Sequence, residues 1–212
     1  MLTLKSFTFN PFQENTYLIL NDENECWIVD PGMYDTAETN ELHAYIETQR
    51  LTPQAIINTH THIDHIFGVQ GLMERYSIPF SFHEKDLPVL QGAAGSAAVF
   101  GLDFGKAPAY HSFLKEKEKL LLGTDEVEVR FTPGHSPGSI VFYYPQGKWV
   151  IAGDVLFNGS IGRTDLPGGN FDTLIKSIRE QLFTLPDDTT VYPGHGPSTR
   201  IGDEKMYNPF LK

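Results

Sequence analysis

The chain has 212 residues, 40% of them hydrophobic, and a formal net charge of −11. This negative charge repels phosphate backbones and argues against nucleic acid as a partner. No apolar stretch reaches the length of a membrane span, and the size and ordinary composition favour one domain over residues 1–212.

The sequence predicts a cytoplasmic protein. Its first residues alternate apolar and polar side chains, as a strand does, and lack the continuous apolar core of a signal peptide. The single cysteine, Cys26, has no partner for an internal disulfide, which fits a reducing compartment. Because Cys26 lies in an apolar strand-like run, we expect a small buried residue rather than a reactive thiol.

Apolar periodicity predicts strands that alternate with amphipathic helices in both halves of the chain. The first strands form an antiparallel meander that ends in the turn Asp30-Pro31-Gly32. Asp35 and Glu38 have the spacing of a capping box and mark the start of the first helix. In chain order, the expected elements are strands at 7–9, 17–20 and 27–29, a helix between 35 and 53, a strand at 55–58, a helix at about 67–76, strands at 127–131, 140–144 and 149–152, a helix near 171–183 and a strand at 190–192.

The middle segment, residues 92–122, contains the small-residue run Gly92-Ala93-Ala94-Gly95. Two interpretations stay open for it: a flap over a functional site, or an exposed connection. Its charge run at 115–119, which alternates Lys and Glu, favours a solvated connection for that part.

A dense cluster of ligand-type side chains follows the strand at 55–58. His60, His62, Asp64 and His65 place three imidazoles and a carboxylate within six residues. Imidazole and carboxylate together suit zinc, iron or manganese, whereas a structural zinc or an iron–sulfur cluster would need more thiolates than this chain has. The cluster therefore predicts a metal site.

Further histidine and aspartate residues follow other strands. His135, Asp154 and His195 each lie just past the end of a predicted apolar strand, next to a glycine that lets the backbone turn sharply. In layered α/β structures such strand ends meet at one edge of the sheet, where active sites form. We therefore expect these residues to join the cluster at His60.

Taken together, these motifs resemble the metallo-β-lactamase-fold hydrolases over essentially the whole chain. Asn15-Thr16-Tyr17 and the loop Gly162–Gly169 are most similar to the short glyoxalase II-like branch, the hydroxyacylglutathione hydrolases. The motifs that carry the resemblance are Asp30-Pro31-Gly32, His60-x-His62-x-Asp64-His65, Pro133-Gly134-His135, Ala152-Gly153-Asp154 and Pro193-Gly194-His195-Gly196.

The resemblance implies an α/β fold, a four-layer αββα sandwich, with a site for two divalent metal ions, most simply Zn²⁺, with Fe or Mn as alternatives. Asp154 would bridge the two ions, and Asp30 would orient ligands unless it is only a turn residue. The implied ligands are His60, His62 and His135 for the first ion, and Asp64, His65 and His195 for the second.

The implied activity is hydrolysis of a small-molecule acyl thioester by a hydroxide that bridges the metals, with Asp64 and Asp154 as catalytic residues. Arg163 and Asp165 belong either to a substrate loop or to an ion pair that braces it. One alternative is a persulfide dioxygenase with a single iron on His60, His135 and Asp154. A second alternative is a non-catalytic metal-binding protein.

Two features limit the transfer of function from the family. Longer glyoxalase II proteins have a carboxyl-terminal helical region with basic residues that bind glutathione, whereas this chain ends at Lys212, soon after the last ligand. Recognition of glutathione is therefore not predicted. The other histidines, His43, His83 and His111, match none of the metal motifs, and we expect structural or surface roles for them.

Overall fold

The computed structural model describes residues 1–212. It contains two six-stranded β-sheets that pack face to face, with helices on both outer faces. The expected four-layer αββα sandwich is confirmed. In both sheets the order of the strands in space follows their order along the chain. The first sheet contains β1 (Thr3–Phe9), β2 (Glu14–Leu20), β3 (Glu25–Val29), β4 (Thr52–Ile57), β5 (Phe80–His83) and β6 (Ser112–Leu114). The second contains β7 (Lys119–Leu122), β8 (Asp125–Phe131), β9 (Ile140–Tyr144), β10 (Trp149–Gly153), β13 (Thr190–Pro193) and β14 (Thr199–Arg200), and a separate ribbon contains β11 (Leu156–Phe157) and β12 (Ser160–Ile161).

Five α-helices cover the sheets. Asp35 caps the first helix as expected, since its side chain accepts a hydrogen bond from the backbone N–H of Glu38. None of the helices combines the length and the apolar character that are needed to cross a lipid bilayer. The helices are α1 (Thr36–Thr48), α2 (Val69–Tyr76), α3 (Leu87–Val99), α4 (Phe171–Ser177) and α5 (Ile201–Tyr207), with single 3₁₀ turns at Ile63–His65 and Glu84–Asp86.

The core has three apolar layers because most strands are buried on both faces. On β2, Tyr17 and Ile19 point between the sheets, and Leu18 points to the helices outside. This two-residue alternation is that of a pleated strand. On the other sheet, Val141 and Val150 pack outward against α4 and α5. Burial on both faces explains why β9 and β10 are continuous apolar runs.

Most predicted elements lie where they were expected, but several others were missed. The helix expected near 171–183 is α-helical only to Ser177 and continues as a π-helical turn over Ile178–Leu182. Helix α3 had no visible pattern because its buried stripe consists of Leu90, Ala93 and Ala97, and small residues give weak periodicity. The segment 92–122 is therefore more than a connection. It contains the second half of α3 as well as β6 and β7, and residues 115–118 of its charge run form the turn between those strands.

Candidate metal centre

The loops that follow parallel strands bring imidazoles and carboxylates to one edge of the sandwich. The cluster that starts at His60 lies just beyond β4, while Asp154 and His195 follow the paired parallel strands β10 and β13. His135 comes from the turn between β8 and β9. All the side chains that the sequence assigned to the metal site are therefore neighbours.

Three imidazoles, from His60, His62 and His135, form what we call the first histidine group. Nε2 of His135 lies 2.9 Å from Nδ1 of His62 and 3.3 Å from Nε2 of His60. His60 and His135 are almost completely buried. Ring nitrogens at these distances present lone pairs to one another, and only a shared proton or a cation relieves that repulsion.

Asp64, His65 and His195 form the second group. Oδ2 of Asp64 lies 3.2 Å from Nε2 of His195 and 3.7 Å from Nε2 of His65. The carboxylate of Asp154 lies between the two groups. Its Oδ1 is 3.5 Å from Nε2 of His65, and its Oδ2 is 3.5 Å from Nε2 of both His135 and His195.

Backbone carbonyls fix the rings of two histidines. Nδ1 of His135 lies 2.8 Å from the carbonyl oxygen of Arg163, and Nδ1 of His195 lies 3.0 Å from that of Phe12. Because a carbonyl only accepts, Nδ1 must carry a proton in both rings, and Nε2 is the nitrogen that faces the site. Nε2 is therefore the atom of each ring that is placed to bind a metal ion.

Asp30 holds two other histidines from behind. Its Oδ2 lies 3.2 Å from Nδ1 of His65 and accepts a hydrogen bond of 2.6 Å from the hydroxyl of Thr59. That hydroxyl is in turn 3.0 Å from Nδ1 of His60 and accepts its proton. Asp30 thereby directs Nε2 of both rings toward the site and does not itself face the cleft.

The donor chemistry fits divalent cations. Nε2 of His65 and Oδ1 of Asp154 are buried and have no hydrogen-bond partner within the protein. Buried polar atoms without a partner are costly, and here both belong to side chains that bind metals. Neutral imidazole nitrogen and carboxylate oxygen suit zinc, iron and manganese equally in type.

Burial keeps two rings of the first histidine group, those of His60 and His62, neutral. Burial, together with the neighbouring imidazoles, holds the pKa of His60 well below its usual range. Burial and the proximity of His135 likewise lower the pKa of His62 to about 3. Neutral rings with free lone pairs are the form that coordinates a cation.

In the second group the pKa values of the two histidines are raised and not lowered, because carboxylates face them. Burial lowers the pKa of His195, but hydrogen bonds to Asp154 and Asp64 outweigh it and raise the pKa to about 10. At His65 the two aspartates also outweigh burial, and its pKa lies well above the usual range. Without a cation, this group holds protons at neutral pH, and a bound metal ion would replace them.

The glycines that precede Asp154 and His195 have no room for a side chain. A Cβ on Gly194 would overlap Oδ1 of Asp154, and one on Gly153 would overlap the hydroxyl of Thr59. Gly153 also has a φ of +47°, in the left-handed region. These glycines let the chain pass directly behind the ligands.

Asp86 was missed in the sequence and connects the two loops of the first histidine group. Its carboxylate is fully buried and accepts hydrogen bonds from the backbone N–H groups of Thr61 at 2.6 Å and Gly138 at 2.7 Å, as well as from the hydroxyl of Ser136. Burial raises its pKa despite these bonds. The available signal was its place just past β5, a strand that was itself not predicted.

The Asn15-Thr16-Tyr17 motif supports the loop of His195. The side-chain amide of Asn15 donates to the carbonyls of Pro193 and Gly196, and the hydroxyl of Tyr17 donates to Pro193 at 2.6 Å. The preceding residue, Glu14, is a buried carboxyl that the sequence did not single out, and burial raises its pKa well above the usual range.

A cleft of about 690 Å³ opens above the metal-ligand side chains. Arg163 lines it, and its guanidinium makes a two-pronged ion pair of 2.7 and 2.8 Å with Asp165 at the exposed surface. The ion pair of one interpretation is therefore present, and the place of Arg163 in the lining of the cleft keeps the substrate-loop interpretation open. His43, His83 and His111 lie outside the metal-ligand groups.

Comparison with known proteins gives the family. Residues 9–195 match the metallo-beta-lactamase superfamily. The chain is 43% identical over 203 residues to a probable metallo-hydrolase of Bacillus subtilis, YqgX, and the match covers 95% of this chain and 93% of that protein. It is 39% identical over 207 residues to the hydroxyacylglutathione hydrolase GloC of Haemophilus influenzae, with 94% and 93% covered. The chain belongs to the metallo-beta-lactamase superfamily, and these relatives support a metal-dependent hydrolase.

Solved structures share the fold over nearly the full chain. The BLEG-1 B3 metallo-beta-lactamase has a TM-score of 0.91 at 40% identity, covering 99% of this chain and 100% of that one. TTHA1623 in a di-iron-bound form has 0.88 at 42%, covering 98% and 100%. ETHE1 from Myxococcus xanthus has 0.79 at 27%, covering 98% and 83%. These neighbours differ in name and therefore leave the substrate open.

Proposed function

We propose that this protein is a thioester hydrolase of the glyoxalase II type, with two divalent cations held by the two histidine groups and by Asp154. The observation that carries the proposal is the carboxylate of Asp154, 3.5 Å from imidazole nitrogens of both groups. Cations bound there would supply Lewis acidity and lower the pKa of a water held between them. Zinc is the leading candidate, and the di-iron form of TTHA1623 supports iron as the alternative.

We assign Asp64 and Asp154 as catalytic residues. They are the carboxylates that line the cleft, and Oδ2 of each lies within 3.5 Å of Nε2 of His195. From this position they orient His195, and each can accept a proton from a water molecule in the cleft.

The cleft favours a leaving group that departs without an acid. Apart from the metal-ligand side chains, the one ionisable group that lines it is the guanidinium of Arg163, which stays protonated. A thiolate, whose conjugate acid has a pKa of about 8.5, leaves without being protonated, whereas an amine must gain a proton. This supports a thioester over an amide substrate.

A persulfide dioxygenase is the second candidate, because His60 and Asp154 both lie within 3.5 Å of Nε2 of His135 and form a two-histidine, one-carboxylate set. That reaction gives no role to the second group, which favours the hydrolase. A non-catalytic metal-binding protein would not need the open cleft above the ligands.

The remaining parts of the proposal concern the partner and the compartment. We propose a small-molecule substrate, in keeping with the size of the cleft. We also propose the cytoplasm, because Cys26 is buried, free, and has a pKa that burial raises to about 12, so that it is an unreactive thiol.

Initial rates across a panel of hydroxyacyl thioesters, oxygen esters and β-lactams, measured with one metal-loaded preparation, test the proposed function. We expect thioester turnover to exceed β-lactam turnover by at least about 100-fold, to be lost on chelation and to return with added metal. The similarity to BLEG-1 makes β-lactams the demanding control. Equal or faster hydrolysis of β-lactams would refute the thioesterase.

A further inference from the structure

One wall of the cleft is an uncharged face of α3. Val89, Gly92, Ser96 and Phe100 follow one another at intervals of three and four residues, so they form a single strip along the helix and its C-cap. A Cβ added at Gly92 would meet nothing within 4 Å, which means that the cleft is open at this point. The adjacent face of the helix packs into the core through Leu90, Ala93 and Ala97.

The segment that follows β10 also contributes apolar side chains to the lining of the cleft. These are Phe157, Ile161, Leu166 and Pro167. At the end of the α3 strip, the rings of Phe12 and Phe100 meet edge to face with their centroids 5.3 Å apart, which extends the apolar surface toward the second histidine group.

No free positive charge lines this cleft. Its one basic residue outside the histidine ligands is Arg163, and both prongs of that guanidinium are already paired with Asp165. The chain as a whole carries a net charge of −11. Glutathione has a carboxylate at each end, several bonds away from its sulfur, and neither would find a cation along these walls.

We propose that the substrate is a thioester with an uncharged, apolar substituent that lies along the α3 strip, and that glutathione thioesters are poor substrates. The inference rests on the proposed thioesterase function and narrows it to a substrate class. Burying a methylene contributes about 0.8 kcal/mol, so each carbon added to a group on the strip should tighten binding about fourfold until the strip is filled.

Binding of non-hydrolysable analogues tests the inference separately from turnover. In S-(2-oxoalkyl) thioethers the scissile thioester carbonyl is replaced by a ketone one carbon from sulfur. One series has N-acetylcysteamine as the thiol and lengthens the oxoalkyl chain. A second series keeps a 2-oxopropyl group and lengthens an alkyl thiol. A tightening Kd in either series by calorimetry supports the proposal and identifies which half of the thioester lies on α3. A flat Kd in both series overturns it.

The glutathione analogue with the same oxoalkyl group is the charged comparison. We expect it to bind at least about tenfold more weakly than the N-acetylcysteamine analogue, a difference of about 1.4 kcal/mol. Tighter binding of the glutathione analogue would overturn the proposal. If the analogues bind as expected but no thioester is hydrolysed, the proposed function fails while the apolar ligand class stands.

Two glycines of α3 provide a matched pair of variants. Gly92 lines the cleft and Gly95 does not, while a Cβ at either meets nothing within 4 Å and neither needs a positive φ. Leucine at either position raises helix propensity, so both variants should fold with an unchanged or higher Tm. Gly92→Leu should abolish the dependence of Kd on chain length, and Gly95→Leu should keep it. Equal behaviour of the two variants would contradict the placement on α3.

A gain of function completes the test. Ser96→Arg places a cation on the strip, and an exposed ion pair with a substrate carboxylate contributes up to about 1 kcal/mol, or about fivefold in Kd. We expect this variant to bind the glutathione analogue more tightly and the N-acetylcysteamine analogue no better. A variant that improves both analogues equally would contradict the charge argument.

Discussion

The carboxylate of Asp86 accepts a hydrogen bond from the backbone N–H of Thr61 at 2.6 Å, between the two histidines that open the metal motif. Its other oxygen accepts from Gly138 and Ser136, in the loop that carries His135. One buried side chain outside the ligand set therefore fixes the distance between the two loops of the first histidine group.

Asp86→Ala should weaken metal binding at the first histidine group. The substitution leaves two buried N–H groups without an acceptor, at about 1–3 kcal/mol each, and loosens both loops. Loss of such a supporting residue typically costs 10- to 100-fold in metal affinity. Competition with a chelator gives the affinity, and chemical denaturation gives the free energy of unfolding. Glu84→Ala, exposed in the same turn, is the control and should change neither. Unchanged metal affinity in Asp86→Ala would show that the loops hold their geometry without it.

Metal content should distinguish Asp154 from His60. Because Asp154 contacts both groups, Asp154→Ala should reduce occupancy at both positions, whereas His60→Ala should affect mainly the first. Elemental analysis combined with anomalous scattering measures both occupancies. His43→Ala, outside the ligand groups, should retain two ions. A fully loaded wild type with a single ion, or with ions away from His135 and His195, would refute the two-metal assignment.

The sequence was sufficient to predict which side chains meet at this site, because His135, Asp154 and His195 each follow a glycine at the end of an apolar run and the other four lie within six residues after β4. Such boundaries are visible locally, and the layered fold then brings them together. Asp86 and Glu14 could not be identified in this way. Their importance comes from burial against loops that are distant in the chain. Thr61 and Asp86, for example, are separated by 25 positions in the sequence, and the sequence does not show their contact.

The α3 wall was missed for a different reason. The core face of α3 includes alanines, and its cleft face includes glycine and serine. The two faces therefore differ too little in hydrophobicity to give a visible helical period in the sequence. The pairing of Arg163 with Asp165 was one of two interpretations left open, because a spacing of two residues in a loop fits an ion pair and a substrate contact equally well.

Metal binding should release protons at neutral pH. In the metal-free protein, the pKa of His195 is about 10 and that of His65 is raised, so both rings hold their protons at pH 7. A cation at the second group displaces them, and we expect release of about one to two protons. Release should decline as the pH rises through about 10, where His195 loses its proton unaided. Calorimetric titrations in buffers with different ionisation enthalpies count the protons. His195→Gln should release about one proton fewer, and an enthalpy independent of the buffer would contradict the prediction.

The activities of the zinc-loaded and iron-loaded forms should show whether the protein is a hydrolase or a dioxygenase. A dioxygenase needs a redox-active iron with open positions for oxygen and sulfur, whereas hydrolysis needs only a Lewis acid. We therefore expect iron-free, zinc-loaded protein to hydrolyse thioesters without oxygen. Hydrolysis of S-lactoylglutathione should show a high KM, since the cleft offers its carboxylates no free cation. The measurement compares oxygen uptake on glutathione persulfide with thioester hydrolysis for both metal forms, and Asp154→Ala serves as the inactive control for both reactions. Iron-dependent oxygen uptake, together with no hydrolysis by either form, would replace the thioesterase with the dioxygenase.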